Sequence, residues 1–201
     1  IGHAADHLSL YQLTIEEGTP FFALHRAKKF EIPDPDHAAE LYQLTQEVTA
    51  AHGLPAYEIS NHARPGAESR HNLTYWRYGE YVGVGPGAHG RFVADGTRIV
   101  TIAERLPERW AELVEAQGHG VTGGETLTRS EEADEFLLMG LRLAEGIDLA
   151  RYEALAGRGL SSSRLAILQE EGLVAPLGNS RLRATPAGMI VLDALVADLA
   201  R

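Results

Sequence analysis

The sequence predicts an α/β fold whose last third is mostly helical. Residues 8–60 alternate an apolar run, an amphipathic helical pattern and a second short apolar run, which is the order of a βαβ unit. Residues 126–201 carry several helix-start signals and one hairpin pattern, and together these resemble a winged-helix-like module. We therefore expect two parts, residues 1–125 and residues 126–201.

The start of the chain predicts strand, helix and strand in turn. The run LSLYQLTI at residues 8–15 is typical of a strand covered on both faces, as in a parallel sheet. The helix is expected to begin after Asp34, with Pro35 at its first position, and to end near Gly53. The run AYEIS at residues 56–60 predicts the second strand. The apolar stripe of the helix consists of Leu41, Leu44, Val48 and Ala51.

The middle of the chain differs from both neighbours. Residues 61–90 show no helical or strand period over most of their length. Long irregular segments inside compact domains are usually functional, so a binding site is expected here. From residue 91 onward the pattern indicates helices with short interruptions.

The C-terminal part contains clear helix-start and turn signals. Thr128 and Glu131 form a capping box, and the helix after them is expected to supply apolar residues to the core. Those residues are Phe136, Leu137, Leu141 and Leu143. The other expected elements are a helix at residues 107–116, a helix from Asp148 to Gly157, a helix after Ser161 or Ser162, a hairpin at residues 173–184 and a last helix from Thr185 to Leu199.

Composition limits the classes of function. The chain has 201 residues and a formal net charge of -10, whereas coating nucleic acid or an anionic membrane needs clustered Lys and Arg. It contains no cysteine, which excludes disulfides, thiolate catalysis and cysteine-ligated zinc or iron–sulfur sites within these residues. The absence of cysteine fits a cytoplasmic origin. Since a strand pattern begins almost at once, at His7, we interpret Ile1 as a truncation point.

The segment HNLTYW carries the first candidate site. A neutral imidazole is a good axial ligand for haem iron, so His71 is a candidate iron ligand. Tyr75 and Trp76 offer flat apolar surface that could stack on a porphyrin, and Arg70 and Arg77 could pair with its propionates. The alternative is that His71 is a hydrogen-bonded structural residue, which is the commoner role of such a histidine.

Two further segments are candidates of lower specificity. Residues 83–90, GVGPGAHG, could bring backbone N–H groups close to a ligand, but they match neither a Walker loop nor a dinucleotide fingerprint. The alternative is a tight turn after a strand. Residues 57–61, YEISN, lie at the end of the second predicted strand, the edge where α/β proteins bind ligands. There the alternative is that Glu58 or Asn61 only satisfies nearby backbone groups.

Four motifs in order resemble one protein family. HLSLYQLTIEEGTP, YEISNHARPG, SRHNLTYW and YVGVGPGAHG are similar to the pattern of the HemW family, and GLRLAEGID and ATPAG are similar to its closing domain. HemW belongs to the radical S-adenosylmethionine (SAM) superfamily and is related to HemN, the oxygen-independent coproporphyrinogen III oxidase. The similarity extends from His7 nearly to the end of the chain.

The resemblance implies a fold and two cofactors. Residues 1–125 would be the C-terminal portion of a partial (β/α)6 radical SAM barrel with a connecting helix, and residues 126–201 the family's helical, winged-helix-like domain. In the family, a CxxxCxxC motif in the N-terminal half ligates the [4Fe–4S] cluster that cleaves SAM, and these residues lack it. By similarity, SAM contacts are expected from Thr14, Ala88 and His89. Radical chemistry is therefore not expected of this chain alone.

The resemblance also implies a haem site. The HNxxYW motif, matched by His71, Asn72, Tyr75 and Trp76, is associated in HemW with haem binding, and His71 would be the iron ligand. HemW is a chaperone that delivers haem, so the implied partners are haem or porphyrin and membrane-bound acceptor proteins. The implied location is the cytoplasm, including the inner face of the membrane. Half a barrel would leave an open sheet edge, which favours a homodimer.

Two other functions stay open at this point. The first is the oxidase reaction, oxidative decarboxylation of coproporphyrinogen III propionates with SAM, although the oxidase relatives lack HNxxYW. The second is a nucleic-acid-binding winged helix with Arg181 and Arg183 on its wing. Because residues 126–201 hold 8 Lys and Arg against 11 Asp and Glu and show no basic recognition helix, we expect no nucleic-acid partner.

Overall fold

The structure, a computed structural model, describes residues 1–201 and has a mixed α/β fold with two compact units, Ile1–Glu68 and Ser69–Arg201. The predicted boundary between residues 125 and 126 falls inside the second unit and stays a prediction. The first unit contains β1 (His7–Ser9), α1 (Pro20–Arg26), α2 (Pro35–Ala51) and β2 (Asn61–Ala63). The second contains α3 (Arg70–Trp76), β3 (His89–Ala94), β4 (Thr97–Ala103), α4 (Pro107–Gln117), β5 (Val121–Thr126), α5 (Arg129–Gly140), β6 (Ile147–Asp148), α6 (Leu149–Ala156), α7 (Ser162–Glu170), β7 (Val174–Leu177), β8 (Arg181–Ala184), α8 (Pro186–Ile190) and α9 (Leu192–Leu199).

The two strands of the first unit are shorter than predicted and antiparallel. β1 pairs with β2 from His7 opposite Ala63 to Ser9 opposite Asn61, so the expectation of a parallel pair is wrong. The apolar run at residues 8–15 is a strand only as far as Ser9, because β2 is three residues long and no further residues pair with the run. The second strand begins five residues later than predicted, since residues 58–61 fold into a turn closed by side-chain hydrogen bonds.

α2 has the predicted ends but not the predicted burial. The Asp34 side chain accepts a hydrogen bond of 3.0 Å from the backbone N–H of His37, and Gly53 follows the helix with a φ of 76°. Both ends therefore confirm the capping signals. The apolar stripe is largely exposed, with Leu44 at 53% of its full accessibility and Leu41 at 42%. The first unit thus carries an apolar helix face that its own two strands do not cover.

A small polar cluster is buried beside β2. One oxygen of the Glu58 carboxylate accepts hydrogen bonds from the backbone N–H of Ser60 and from the Asn61 amide. The Asn61 oxygen in turn accepts from the Ser9 hydroxyl, at 2.5 Å. The His62 imidazole is 1% exposed, and its Nε2 lies 3.1 Å from the Gln46 Oε1. Only the contact from the Ser60 N–H fits the predicted alternative, in which Glu58 or Asn61 satisfies nearby backbone groups; the other contacts join side chains.

The first unit is expected to lose stability in weak acid through His62. Burial lowers the pKa of this imidazole, so below pH about 6.5 the unfolded chain binds a proton that the folded chain does not. The free energy of unfolding should therefore fall with falling pH, by up to about 1.4 kcal/mol per pH unit for one proton. Urea denaturation of His62→Leu at several pH values should show a shallower fall, and His3→Ala, at an exposed position, the wild-type fall. Parallel curves for His62→Leu and wild type would exclude His62 as the source.

The first part of the second unit is a three-stranded antiparallel sheet in the order β3-β4-β5. The expectation of helices with short interruptions from residue 91 is therefore wrong up to residue 126, apart from α4, which occupies residues 107–117 as predicted. The turn between β3 and β4 is Asp95-Gly96, with φ values of 51° and 75°. A two-residue Asp-Gly turn between β-branched runs is a strong hairpin signal, and it explains why this region is a sheet and not helical.

The C-terminal part follows its predicted elements closely. The capping box of Thr128 and Glu131 is present at the start of α5, and Asp148 caps α6. The hairpin of β7 and β8 is present, and β6 adds a third strand in the order β6-β8-β7. The last helix is interrupted at Val191, which divides it into α8 and α9. The four residues predicted for the core are buried: Phe136, Leu137, Leu141 and Leu143.

None of the helices is both long enough and apolar enough to cross a lipid bilayer.

Candidate functional site

The HNLTYW segment, expected to be irregular, forms most of α3. The Ser69 hydroxyl caps this helix by accepting a hydrogen bond of 3.3 Å from the backbone N–H of Asn72. Residues four apart lie on the same face of a helix. The motif therefore places its four candidate residues on two adjacent stripes, as the pairs His71 with Tyr75 and Asn72 with Trp76.

His71 is exposed and is positioned by neighbouring rings. Its ring centroid lies 4.7 Å from that of Tyr75 with the ring planes nearly perpendicular, at 89°. Tyr75 packs in the same way on Tyr81, at 4.4 Å and 85°. We call these three residues the ring ladder. Neither nitrogen of His71 forms a hydrogen bond with the protein, so a neutral imidazole there has a lone pair available to a metal.

The second stripe lies against the C-terminal part of the unit. Trp76 is half-buried, and the Arg142 guanidinium carbon lies 5.8 Å from its ring centroid. Trp76 also lines a cavity of about 270 Å³ together with residues of α5, α6 and β8. Asn72 is half-buried. The two stripes of the motif thus face different surroundings, one the ring ladder and the other this cavity.

The two arginines flanking the motif differ in availability. The Arg77 guanidinium donates to both carboxylate oxygens of Glu145, at 2.9 and 2.8 Å, and Arg181 donates to the same carboxylate at 3.3 Å. The hydrogen bonds from Arg77 lower the pKa of Glu145, which therefore stays ionised. The expectation that Arg77 meets a propionate conflicts with this pairing. Arg70 is exposed and forms no ion pair.

Two arginines fix the C-terminal end of α3. The Arg151 guanidinium donates to the backbone oxygens of Arg77 and Tyr78, at 2.7 and 2.9 Å. Arg98 is buried, donates to the oxygen of Gly79 at 2.7 Å and lies 3.7 Å over the Tyr78 ring. These three carbonyl groups belong to residues 77–79, which follow the helix, and backbone N–H groups of the same segment bind carbonyl groups of its last turn. The motif helix is consequently held by residues far along the chain.

The predicted SAM contacts lie in separate units. Thr14 is an exposed residue of the first unit and lines a cavity of about 510 Å³ with Tyr42, Gln46 and His62. Ala88 and His89 lie in the second unit, at the start of β3, where His89 pairs with Ile102 of β4. Their role in SAM binding stays a prediction.

The glycine-rich segment has a structural explanation in part. A Cβ atom on Gly83 would lie 2.5 Å from the backbone oxygen of His89, and one on Gly90 would lie 2.5 Å from the Thr101 hydroxyl. Two stretches of backbone therefore approach more closely than any side chain allows. These two glycines fit the predicted alternative of a tight turn.

The residues do not fit an iron–sulfur cluster. The chain has no cysteine, and no group of three His, Cys, Asp or Glu side chains is arranged to hold a metal ion. A haem needs only an axial ligand, and an exposed imidazole is a suitable one.

Several residues of this site were not predicted from sequence. They are Tyr81, Arg98 and Arg151. Tyr81 lies in the segment suspected of function, where an aromatic residue next to β3 could have been noticed. Arg151 and Arg98 contact the segment that follows α3 from 73 and 19 residues away along the chain, and no local pattern marks such contacts.

Comparison with known proteins identifies the family of the chain and the part of its relatives to which it corresponds. Residues 127–191 match the family model described as the HemN C-terminal domain. The chain is 41% identical over 207 residues to the mouse protein named radical S-adenosyl methionine domain-containing protein 1, mitochondrial, covering 98% of the chain and 47% of that protein. It is 36% identical over 173 residues to heme chaperone HemW of Bacillus subtilis (strain 168), covering 85% of the chain and 45% of that protein. The chain belongs to the HemW-type radical SAM family. It corresponds to the C-terminal portion of its relatives and spans about half of their length.

A solved structure agrees with this membership at the level of fold. Coproporphyrinogen III oxidase (HemN) from Escherichia coli, a radical SAM enzyme, superposes with a TM-score of 0.69 and 18% identity. The match covers 98% of this chain and 48% of that one. The mixed α/β fold of the HemW-type chain is therefore that of the C-terminal part of HemN. Membership implies a [4Fe–4S] cluster and SAM for the family, and haem for its HemW branch.

Proposed function

We propose that this chain is the haem-binding portion of a chaperone-like radical SAM protein, with His71 as the axial ligand of the haem iron. The observation that carries the proposal is the exposed His71 ring, oriented by Tyr75 and free of hydrogen bonds. A ligand residue must present an unprotonated nitrogen to the metal, and a structural histidine would instead have its nitrogens occupied.

The other residues of the motif have supporting roles in this proposal. Tyr75, held between His71 and Tyr81, fixes the orientation of the imidazole. Trp76 offers apolar surface on the adjacent stripe, which also carries the half-buried Asn72. The B. subtilis relative named heme chaperone HemW supports haem as the cargo.

The fold and partners of the whole protein belong to the same proposal. Residues 1–125 would complete a partial (β/α)6 barrel together with the half of the relatives that the chain does not span, and residues 126–201 would be a winged-helix-like closing domain. SAM would be held near Thr14, Ala88 and His89. Acceptors of haem would be membrane-bound proteins, reached from the cytoplasm at the inner face of the membrane, and the protein would form a homodimer.

Hemin added to the purified chain is expected to shift its Soret band away from that of free hemin and to saturate at a single haem per chain. An absorbance titration measures both quantities. A chaperone must also release its cargo, so the loaded chain should transfer haem to apomyoglobin on mixing. A spectrum that stays that of free hemin at all ratios would contradict the proposal.

The oxidase reaction is the second candidate, favoured by the fold match to HemN. The complete protein, with its cluster reconstituted, would then decarboxylate coproporphyrinogen III anaerobically in the presence of SAM. Absence of product from a cluster-loaded protein that cleaves SAM would exclude this candidate.

A further inference from the structure

The cavity beside Trp76 carries an excess of positive charge. Its wall includes three arginines and two acids: Arg77, Arg151, Arg181, Glu145 and Asp148. Glu145 is shared between two of the arginines, at 2.8 Å from Arg77 and 3.3 Å from Arg181. Asp148 accepts the backbone N–H of Arg151 at 2.8 Å as the cap of α6. With all five groups ionised, the wall has one positive charge more than it has negative.

Arg151 is the arginine of this wall that lacks an ion pair. Its guanidinium donates one hydrogen bond to each of two backbone oxygens, those of Arg77 and Tyr78. A guanidinium has five N–H donors, so three remain for another acceptor. Burial and the nearby charge of Arg98 lower the pKa of Arg151, which means that its charge is not fully compensated. An anion in the cavity would compensate it.

The cavity lies at one end of the helix whose other end carries His71. Trp76 belongs both to the HNLTYW motif and to the cavity wall. His71 and Trp76 are five residues apart, which is about 7.5 Å along a helix. That separation is comparable to the distance from the iron of a haem to the carboxylate of a propionate arm. The two stripes of α3 are adjacent, so a porphyrin lying along the helix can reach both.

We propose that this cavity receives a propionate carboxylate of the porphyrin whose iron binds to His71, and that Arg151 is the residue that binds it. The inference rests on the proposed haem function and adds a ligand subsite to it. Charge-assisted hydrogen bonds from a guanidinium are the usual means of holding a carboxylate. Arg151 is pre-positioned for this by its two carbonyl contacts, so little side-chain freedom is lost on binding.

The test compares hemin with hemin dimethyl ester, which has the same iron and ring but no carboxylate. Both are titrated from the same solvent stock into wild type, Arg151→Gln and Arg151→Lys. Wild type should bind hemin roughly tenfold or more tightly than the ester, as expected for hydrogen bonds to a charged group. Arg151→Gln should lose that preference, whereas Arg151→Lys should retain part of it. Any loosening of α3 in these variants would weaken hemin and ester alike, so the ratio of the two affinities reports on the carboxylate contact. Arg183→Gln, an exposed arginine of the same unit, is the control and should bind as wild type.

A second variant protects the test against misfolding of the Arg151 variants. Asp148→Asn keeps a residue that caps helices well and removes a negative charge from the cavity wall. It should raise the preference for hemin over the ester. Equal weakening of hemin and ester in Arg151→Gln would overturn the inference, because it would mean that Arg151 only holds α3. Equal affinities of the wild type for hemin and for the ester would also overturn the inference, but would leave the proposed haem function intact. If the wild type binds neither ligand, both the inference and the proposed haem function are wrong.

Discussion

Replacing His71 with alanine should remove the Soret shift and weaken hemin binding by roughly a hundredfold or more. Loss of a metal's outer-shell partner typically costs 10–100-fold, and loss of the ligand itself should cost at least as much. Because His71 is exposed, its removal should leave the free energy of unfolding nearly unchanged. The effect would therefore be on binding rather than on folding.

Two controls distinguish binding of the iron by His71 from nonspecific adsorption of hemin. His119→Ala removes another exposed histidine of the same unit and should bind hemin like the wild type. Imidazole added to the His71→Ala protein should restore a ligated spectrum, since the free base can occupy the vacated position. Equal Soret spectra of the two alanine variants would show that the iron ligand is another residue.

Gly146→Ala should be the most destabilising small substitution in the second unit, costing about 3 kcal/mol or more. The new Cβ would lie 2.1 Å from the backbone oxygen of Leu182 and 2.7 Å from the Cα of Arg183. The φ of 61° adds a second cost, because L side chains disfavour the left-handed region. Strand β8 would have to move away from β6, so overpacking and backbone strain add together. Thermal or urea unfolding of the variant measures the loss.

The chain offers a matched control for the backbone part of this cost. Gly157 also has a positive φ, 71°, but a Cβ there would meet no atom within 4 Å. Gly157→Ala should therefore cost only about 1–2 kcal/mol, the price of the left-handed conformation alone. The difference between the two variants gives the steric part. If both lose the same stability, the close approach of residues 146 and 182 does not exist in solution.

The sequence was most informative where structure is decided locally. The capping box of Thr128 and Glu131 and the cap at Asp148 depend on residues three apart, and both helices begin where predicted. The GNS turn at residues 178–180 similarly determines the β7–β8 hairpin. At the two caps, the side chain that gives the signal also makes the stabilising contact.

The sequence-based predictions failed where contacts between residues distant in the sequence determine the structure. The run at residues 8–15 has a strand composition, but its length as a strand depends on how many residues of β2 face it. α3 is only seven residues long and is fixed at its end by Arg151, so periodicity could not reveal it. The site followed the same rule, since His71 and Tyr75 could be named from their motif whereas Tyr81 and Arg151 could not.

The anchoring of α3 by Arg151 has a consequence for how this family varies. Both hydrogen bonds end on backbone oxygens, those of Arg77 and Tyr78, so neither side chain is needed to keep them. Relatives can exchange the residues at positions 77 and 78 without disturbing this contact, while position 151 must stay able to donate twice. Covariation between pairs of positions, which reports compensating side chains, would therefore not detect this contact between residues 77–78 and α6.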